Sequence, residues 1–345
     1  MLIPSSVLVT PLLVALPMQA RHAAVALCSP HAALFEWADA NGAVRCVQIG
    51  PSKFGGLGLV ATKSVAAGAE LLRIPLELSV GVPRDEQNTW AMRLAMRLHN
   101  GERKRYSRAL PAAPNVLHRW TASQLAQLQN ATLVDEAARW RNTRREHHEL
   151  AQTIAPIDEP SFNEIYDCVA ARTFGARGEQ DTLRLVPLIS MAQHSCTTGG
   201  QFALRGDAVC LLSGRALAAG DEVFLDYGAR TSDEFALQYG FVPDRNKHDA
   251  ATVPLDTGGE VAQVRWEDAD DAPSDVRDAC TALLASLPST LAADIDELRA
   301  AESEGAEEAT LIALRYRVAK KQLLTAVAGV PAVSEATSAF ARMCE

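Results

Sequence analysis

Apolar and polar positions early in the chain alternate over short stretches broken by glycine. Val44 to Ile49 alternates closely enough for a strand, Gly50-Pro51 turns it, and Leu57-Gly58-Leu59-Val60-Ala61-Thr62 predicts a second strand. Val65-Ala66-Ala67-Gly68 reads as a turn and Glu70-Leu71-Leu72-Arg73-Ile74-Pro75 as a third strand, so the chain from residue 31 is expected to be β-like. The period then changes. Trp90 to Leu98 sets apolar residues at 90, 94 and 98 and at 91 and 95 on one helical face, and residues 121 to 152 lack Gly and Pro and are rich in helix formers. A helical insertion therefore precedes a second β segment: Leu183-Arg184-Leu185-Val186-Pro187, Gln201 to Leu204, Ala208 to Leu212 and Glu222 to Tyr227. Asp249 to Asp271, with the run Glu267-Asp268-Ala269-Asp270-Asp271, is expected to be a solvated linker. Helices follow. In the last, Ile312, Tyr316, Ala319, Leu323 and Val327 form one core-packing stripe, with Glu307, Glu308, Arg315 and Lys321 off it.

Composition narrows the class. A chain of 345 residues that is 48% apolar, with no long uninterrupted apolar tract, is expected to be a soluble, two-lobed globular protein without a membrane span in its mature form. A net charge of -9 argues against nucleic acid as a partner, since phosphate neutralisation needs a basic face, and suits a protein partner presenting a basic segment. The 7 cysteines are odd in number, scattered and never spaced C-x-x-C, which fits reduced thiols and excludes a zinc knuckle; no metal is expected. Residues 1 to 30 hold no acid, one Arg (Arg21) and the apolar run Val7 to Leu16. They are expected to be either a targeting leader or a disordered terminus, and stand outside the fold reasoning. A transit segment there implies a plastid; otherwise cytoplasm or nucleus is expected.

Several local patterns have ordinary explanations. Gly56-Leu57-Gly58-Leu59-Val60-Ala61 matches G-x-G-x-x-A, but no helix follows for a pyrophosphate to cap, so a glycine-rich hairpin is expected instead of a dinucleotide fold. His194, beside Ser195 and Cys196, reads alone as a structural imidazole, and His147-His148 reads as an exposed helical face. Neither a G-x-S-x-G elbow nor a phosphate-binding P-loop occurs. Tyr227 and Tyr239 each end an element and are followed at once by glycine, which by itself fits packed rings.

In order, Gly55 to Thr62, Leu185-Val186-Pro187-Leu188 through Gln193-His194-Ser195, Gly220 to Gly228 and Tyr239-Gly240-Phe241-Val242 resemble the SET-domain methyltransferases. The resemblance is strongest to the Rubisco large-subunit lysine methyltransferase subfamily. Phe35 to Ala43 and Ala313 to Lys321 also look like that subfamily. The implied fold is α+β: a β-rich SET fold of small twisted sheets with a pseudoknot, split by a helical insertion and followed by an all-α C-terminal lobe. The corresponding segments are 31–82 and 166–248 for the SET parts, 83–165 for the insertion and 249–345 for a substrate-binding lobe.

The same resemblance implies an S-adenosyl-L-methionine-dependent protein-lysine N-methyltransferase acting on a non-histone protein, as a monomer. A protein-histidine methyltransferase and a non-catalytic SET-fold binding protein are the alternatives. It implies that Tyr227 is catalytic, that Gly56, Leu57, Gly58, Arg172, Gln193, His194, Tyr227 and Tyr239 bind the cofactor, and that Phe174, Tyr239 and Phe241 line the substrate channel. The family's serine-arginine-x-phenylalanine stretch is Ala171-Arg172-Thr173-Phe174 in this chain. Its asparagine-histidine pair is Gln193-His194, and its upstream aspartate is Ser190.

Overall fold

The computed structural model describes residues 30–85, 88–175, 182–244, 246–256 and 259–330; the expected leader up to residue 29 and the last fifteen or so residues of the lobe lie outside the described residues. The chain divides into two compact units. One is Met1–Ala112, Ile154–Ile157 and Arg172–Asp226; the other is Ala113–Thr153, Asp158–Ala171 and Tyr227–Glu345.

The first unit begins with helix α1 (Pro30–Ala40), where the glycine-broken pattern suggested β structure. Leu34, Phe35 and Ala38 supply one turn of helical spacing to the core, too short a signal to stand out in the sequence. The strand expected over Val44 to Ile49 is two strands, β1 (Val44–Arg45) and β2 (Val47–Pro51). Cys46 between them donates its N–H to Leu71 O and accepts from Thr62 N, so the chain changes sheets at that residue. The other elements are β3 (Leu57–Ala61), β4 (Glu70–Pro75), β5 (Val80–Pro83), α2 (Trp90–His99), α3 (Lys104–Ala109), β6 (Thr173–Gly175), β7 (Thr182–Leu185), β8 (Gln193–His194), β9 (Gln201–Arg205), β10 (Ala208–Leu212) and β11 (Glu222–Leu225). They form three small sheets, in the orders β1-β4-β10-β9, β2-β3-β11-β8 and β5-β7-β6. Pairing is antiparallel except between β8 and β11, where Gln193 faces Phe224 and His194 faces Leu225.

The segment after β8 crosses the end of β11. Ser195 N donates to Leu225 O at 3.2 Å, Gly200 N to Phe224 O at 2.8 Å, and Asp226 N to Gly200 O at 2.8 Å. A Cβ on Gly200 would lie 1.9 Å from Leu212 O, so only glycine lets the backbones approach this closely.

In the second unit, α4 (Ala122–Ala126) and α5 (Ala131–Gln152) replace one continuous helix; Asn130 caps α5, its Oδ1 accepting from Leu133 N at 3.0 Å. Next come α6 (Glu159–Ala170) and the short α7 (Ser232–Glu234), which runs into a π-helical turn over Phe235–Tyr239. The segment expected as a solvated linker instead forms a hairpin, β12 (Ala250–Pro254) and β13 (Val261–Arg265). Val253 and Val264 bury in one core with Cys280, Leu323, Leu324 and Val327. The acid-rich surroundings masked a hairpin whose inward face has few large residues. From Ser274 the chain is helical, as α8 (Ser274–Ser286), α9 (Leu291–Glu304) and α10 (Glu308–Ala328). Ile312, Tyr316, Leu323 and Val327 are buried, but so are Arg317, Lys320 and Lys321, which the apolar stripe left out. His147 and His148 are buried too, against the expectation of an exposed face: His147 Nδ1 lies 3.0 Å from Tyr166 Oη, and the His148 ring packs on Phe162. No helix among the described residues is long and apolar enough to cross a membrane.

Candidate active site

In the first unit, the sheet β2-β3-β11-β8 gathers one group of the expected residues. Gly56 precedes β3, Leu57 and Gly58 begin it, and Gln193 and His194 form β8, with β11 between the two strands. Gln193 uses its longer side chain to donate from Nε2 to Leu57 O at 3.0 Å, tying the glycine-rich strand to β8. His194 is buried, with Nδ1 3.2 Å from Leu225 O. After Gly58 the chain continues as a strand and then turns at Gly68 into β4, so no helix follows the G-x-G-x-x-A pattern.

Arg172 and Phe174 belong to a different part of this unit, at the start of the sheet β5-β7-β6. The Phe174 ring packs on Phe202 with centroids 4.9 Å apart. Arg172 Nε is buried with no hydrogen-bond partner among the described residues. Such an atom is costly unless something outside the protein satisfies it.

In the second unit the expected aromatics meet. Tyr227 packs on Tyr239 with centroids 5.1 Å apart; Phe235 lies 5.6 Å from Tyr239 and 5.1 Å from Phe241. Tyr239 ends the π-helical turn, a local widening of the helix often found at functional sites. Gly240 follows with φ +69°, and a Cβ there would come within 2.9 Å of the Asn115 backbone, so glycine is required to set Tyr239 and Phe241 on either side of the bend. Burial pushes the Tyr239 phenol above its ordinary pKa; Arg230 opposes the shift and Glu234 adds to it.

Residues the sequence did not single out complete both groups. Arg230 donates from Nε to Tyr227 O at 3.3 Å and stands over the Tyr239 ring, its Cζ 5.4 Å from the centroid. Only its position three residues after Tyr227 hinted at this. In the first unit, Lys53 Nζ lies 4.8 Å from the Phe54 ring and 4.7 Å from the Phe224 ring, and Lys53 N donates to Glu222 Oε2 at 3.0 Å. The second unit also holds a cavity of about 650 Å³ lined in part by Leu133, Leu237, Tyr316, Lys320 and Lys321. Its lysines are already occupied, Lys320 by Asp233 and Asp249 and Lys321 by Asp294.

No protein-family model matches the chain. Over 262 residues it is 25% identical to the actin-histidine N-methyltransferase of Mus musculus and 24% identical to that of Homo sapiens. These alignments take in 64% of this chain but 44% of each relative, so the chain spans less than half the length of the curated relatives it matches. Among solved structures, the SET domain of LSMT bound to lysine and AdoHcy superposes with a TM-score of 0.66 at 16% identity, covering 87% of this chain and 90% of that one. Rubisco LSMT bound to AdoMet gives a TM-score of 0.66 at 18% identity, covering 88% and 92%. The chain is a SET-domain protein by fold. Its likeness is to Rubisco LSMT in architecture and to the actin-histidine N-methyltransferases in sequence.

Proposed function

We propose that this chain is an S-adenosylmethionine-dependent protein N-methyltransferase that modifies a lysine of a non-histone protein. The observation that carries the reading is the sheet β2-β3-β11-β8, in which the Gly56–Gly58 strand and Gln193–His194 flank the strand leading into Tyr227.

The residues fit the cofactor on a feature of their own. Arg172 Nε, without a partner among the described residues, calls for an acceptor, and a guanidinium matches the carboxylate that S-adenosylmethionine carries. Backbone groups of Gly56, Leu57 and Gly58, with Gln193, His194, Tyr227 and Tyr239, are assigned the remaining contacts. When bound, the cofactor supplies a methyl group activated on a sulfonium. The chain's own part is to hold the accepting nitrogen neutral, oriented and dry. Enclosure among Tyr227, Phe235, Tyr239 and Phe241 strips water from an ammonium, and that desolvation lowers the pKa of a lysine placed among them even though the ring faces themselves attract a cation. The Tyr227 hydroxyl is assigned to orient that nitrogen, and Phe174 is assigned to the substrate channel on the resemblance.

A second reading, methylation of a histidine, is favoured by the sequence similarity to actin-histidine N-methyltransferases. Incubation with methyl-labelled cofactor and a lysate of the source should label a discrete protein, with the label on lysine by mass spectrometry. Tyr227→Phe should reduce labelling about a hundredfold while cofactor binding persists. Label on histidine selects the second reading. Saturable cofactor binding without labelling makes the chain a binding protein and defeats both.

A further inference from the structure

We infer that the hydroxyl pair Tyr106–Ser190 is a positioning element that holds Gln193 and His194 in register for the cofactor; this rests on the cofactor reading above. Both side chains belong to the first unit. Tyr106, on α3, is 0% exposed and Ser190 is 5% exposed, and their hydroxyl oxygens are 2.6 Å apart.

The backbone beside this pair is strained. Leu188 has φ +63° and ψ -51°, and Ile189 N donates to Pro187 O at 2.8 Å. That is a three-residue turn with positive φ at its centre, a rare conformation for a side chain with a Cβ. Ser190 N donates to Val186 O at 3.1 Å, Met191 N to Leu188 O at 3.0 Å and Ala192 N to Ile189 O at 3.1 Å, so the turn runs without slack into β8. Strained backbone persists only where its surroundings over-determine it. Leu188 itself is wholly buried, and two residues later the Ser190 side chain is tied to Tyr106. Three residues beyond Ser190, Gln193 reaches Leu57 O, and His194 contacts Leu225 O.

The chemistry of the pair suits this task. Two neutral hydroxyls satisfy each other in a buried site, where a carboxylate at Ser190 would need a cation or several donors to offset its desolvation. Removing either hydroxyl breaks this bond and lets the turn relax, displacing the residues that follow.

Calorimetry with S-adenosylmethionine and steady-state methyl transfer on the full chain test this, using wild type, Tyr106→Phe, Ser190→Ala and the double variant. Each single change should weaken cofactor binding about tenfold and raise the cofactor KM with little change in kcat. The double variant should bind no more weakly than either single one, because no pair remains to break. A lower thermal midpoint with wild-type affinity would mean a merely structural role and overturn the inference. Wild-type protein giving no saturable heat overturns the cofactor reading and the positioning role together. If Tyr106→Phe does not fold, Ser190→Ala carries the same comparison.

Discussion

A guanidinium nitrogen buried without a partner costs free energy, and Arg172 Nε has none among the described residues. Its neighbours in sequence are ordinary: Thr173 and Phe174 enter a short strand, and Phe174 finds Phe202. The proposed cofactor carboxylate accounts for the cost, because it would accept from the planar fork that lysine lacks. Arg172→Lys should therefore weaken S-adenosylmethionine about tenfold by calorimetry, with little loss of thermal stability since Nε has no bond to lose among the described residues. Unchanged affinity would remove Arg172 from the site. At this scale the sequence was most legible at Tyr227 and Tyr239. Each is followed by a glycine with positive φ, Gly228 at +92° and Gly240 at +69°, so the Tyr-Gly pairs marked backbone that favours glycine. Arg230 was illegible because its role depends on lying over a ring nine positions later.

Helices were read correctly where hydropathy and period agreed, and their burial was misread where polar residues occupied the inward stripe. On α5, Leu133, Ala137, Arg144, His147, His148 and Ala151 are buried at helical spacing. The period was present, but its polar members find partners on α6: Arg144 pairs with Asp167 at 2.8 Å, and His147 and His148 meet Tyr166 and Phe162. Helix α10 repeats the lesson. Lys321 Nζ donates to Asp294 Oδ2 at 2.6 Å and to Gln129 Oε1 at 2.9 Å, and Arg317 bridges Asp294 and Glu297. Burial alone would raise the Asp294 pKa, but hydrogen bonds from Arg317, Lys321 and Ser289 hold it below the ordinary carboxylate value. A depressed folded-state pKa means that the contribution is complete above the unfolded value near 4 and is lost as pH falls through the folded one. Asp294→Ala should cost about 3–5 kcal/mol in urea unfolding at pH 7, since it takes the carboxylate from buried Lys321 and leaves buried Arg317 with Glu297 alone. Below about pH 4 its stability should fall less steeply than that of wild type, because the titrating group is gone. A loss under about 1 kcal/mol at pH 7 would contradict the network.

At the scale of the molecule, the order of motifs was legible because each marks a backbone constraint: the glycine-rich strand, the crossing after Gln193–His194, and the strand into Tyr227. The hairpin β12–β13 and helix α1 were not, since their stability comes from packing against elements far away in sequence. The proposed cofactor residues then make a distributed prediction for hydrogen exchange. A ligand at a hundred times its Kd stabilises the folded state by about 2.7 kcal/mol, which slows every amide that exchanges by global unfolding, wherever the site is. The location must therefore be read from amides that exchange by local opening. Exposed residues 53–57, around Phe54 and Leu57, and the partly exposed segment 195–199 supply them near the proposed site. Saturating S-adenosylmethionine should slow exchange in these two segments selectively, while the turn at 287–290 between α8 and α9 keeps its free-protein rate. Selective protection at 287–290 with none at 53–57 would move the cofactor to the helical lobe and sink the assignment of Gly56, Leu57 and Gly58.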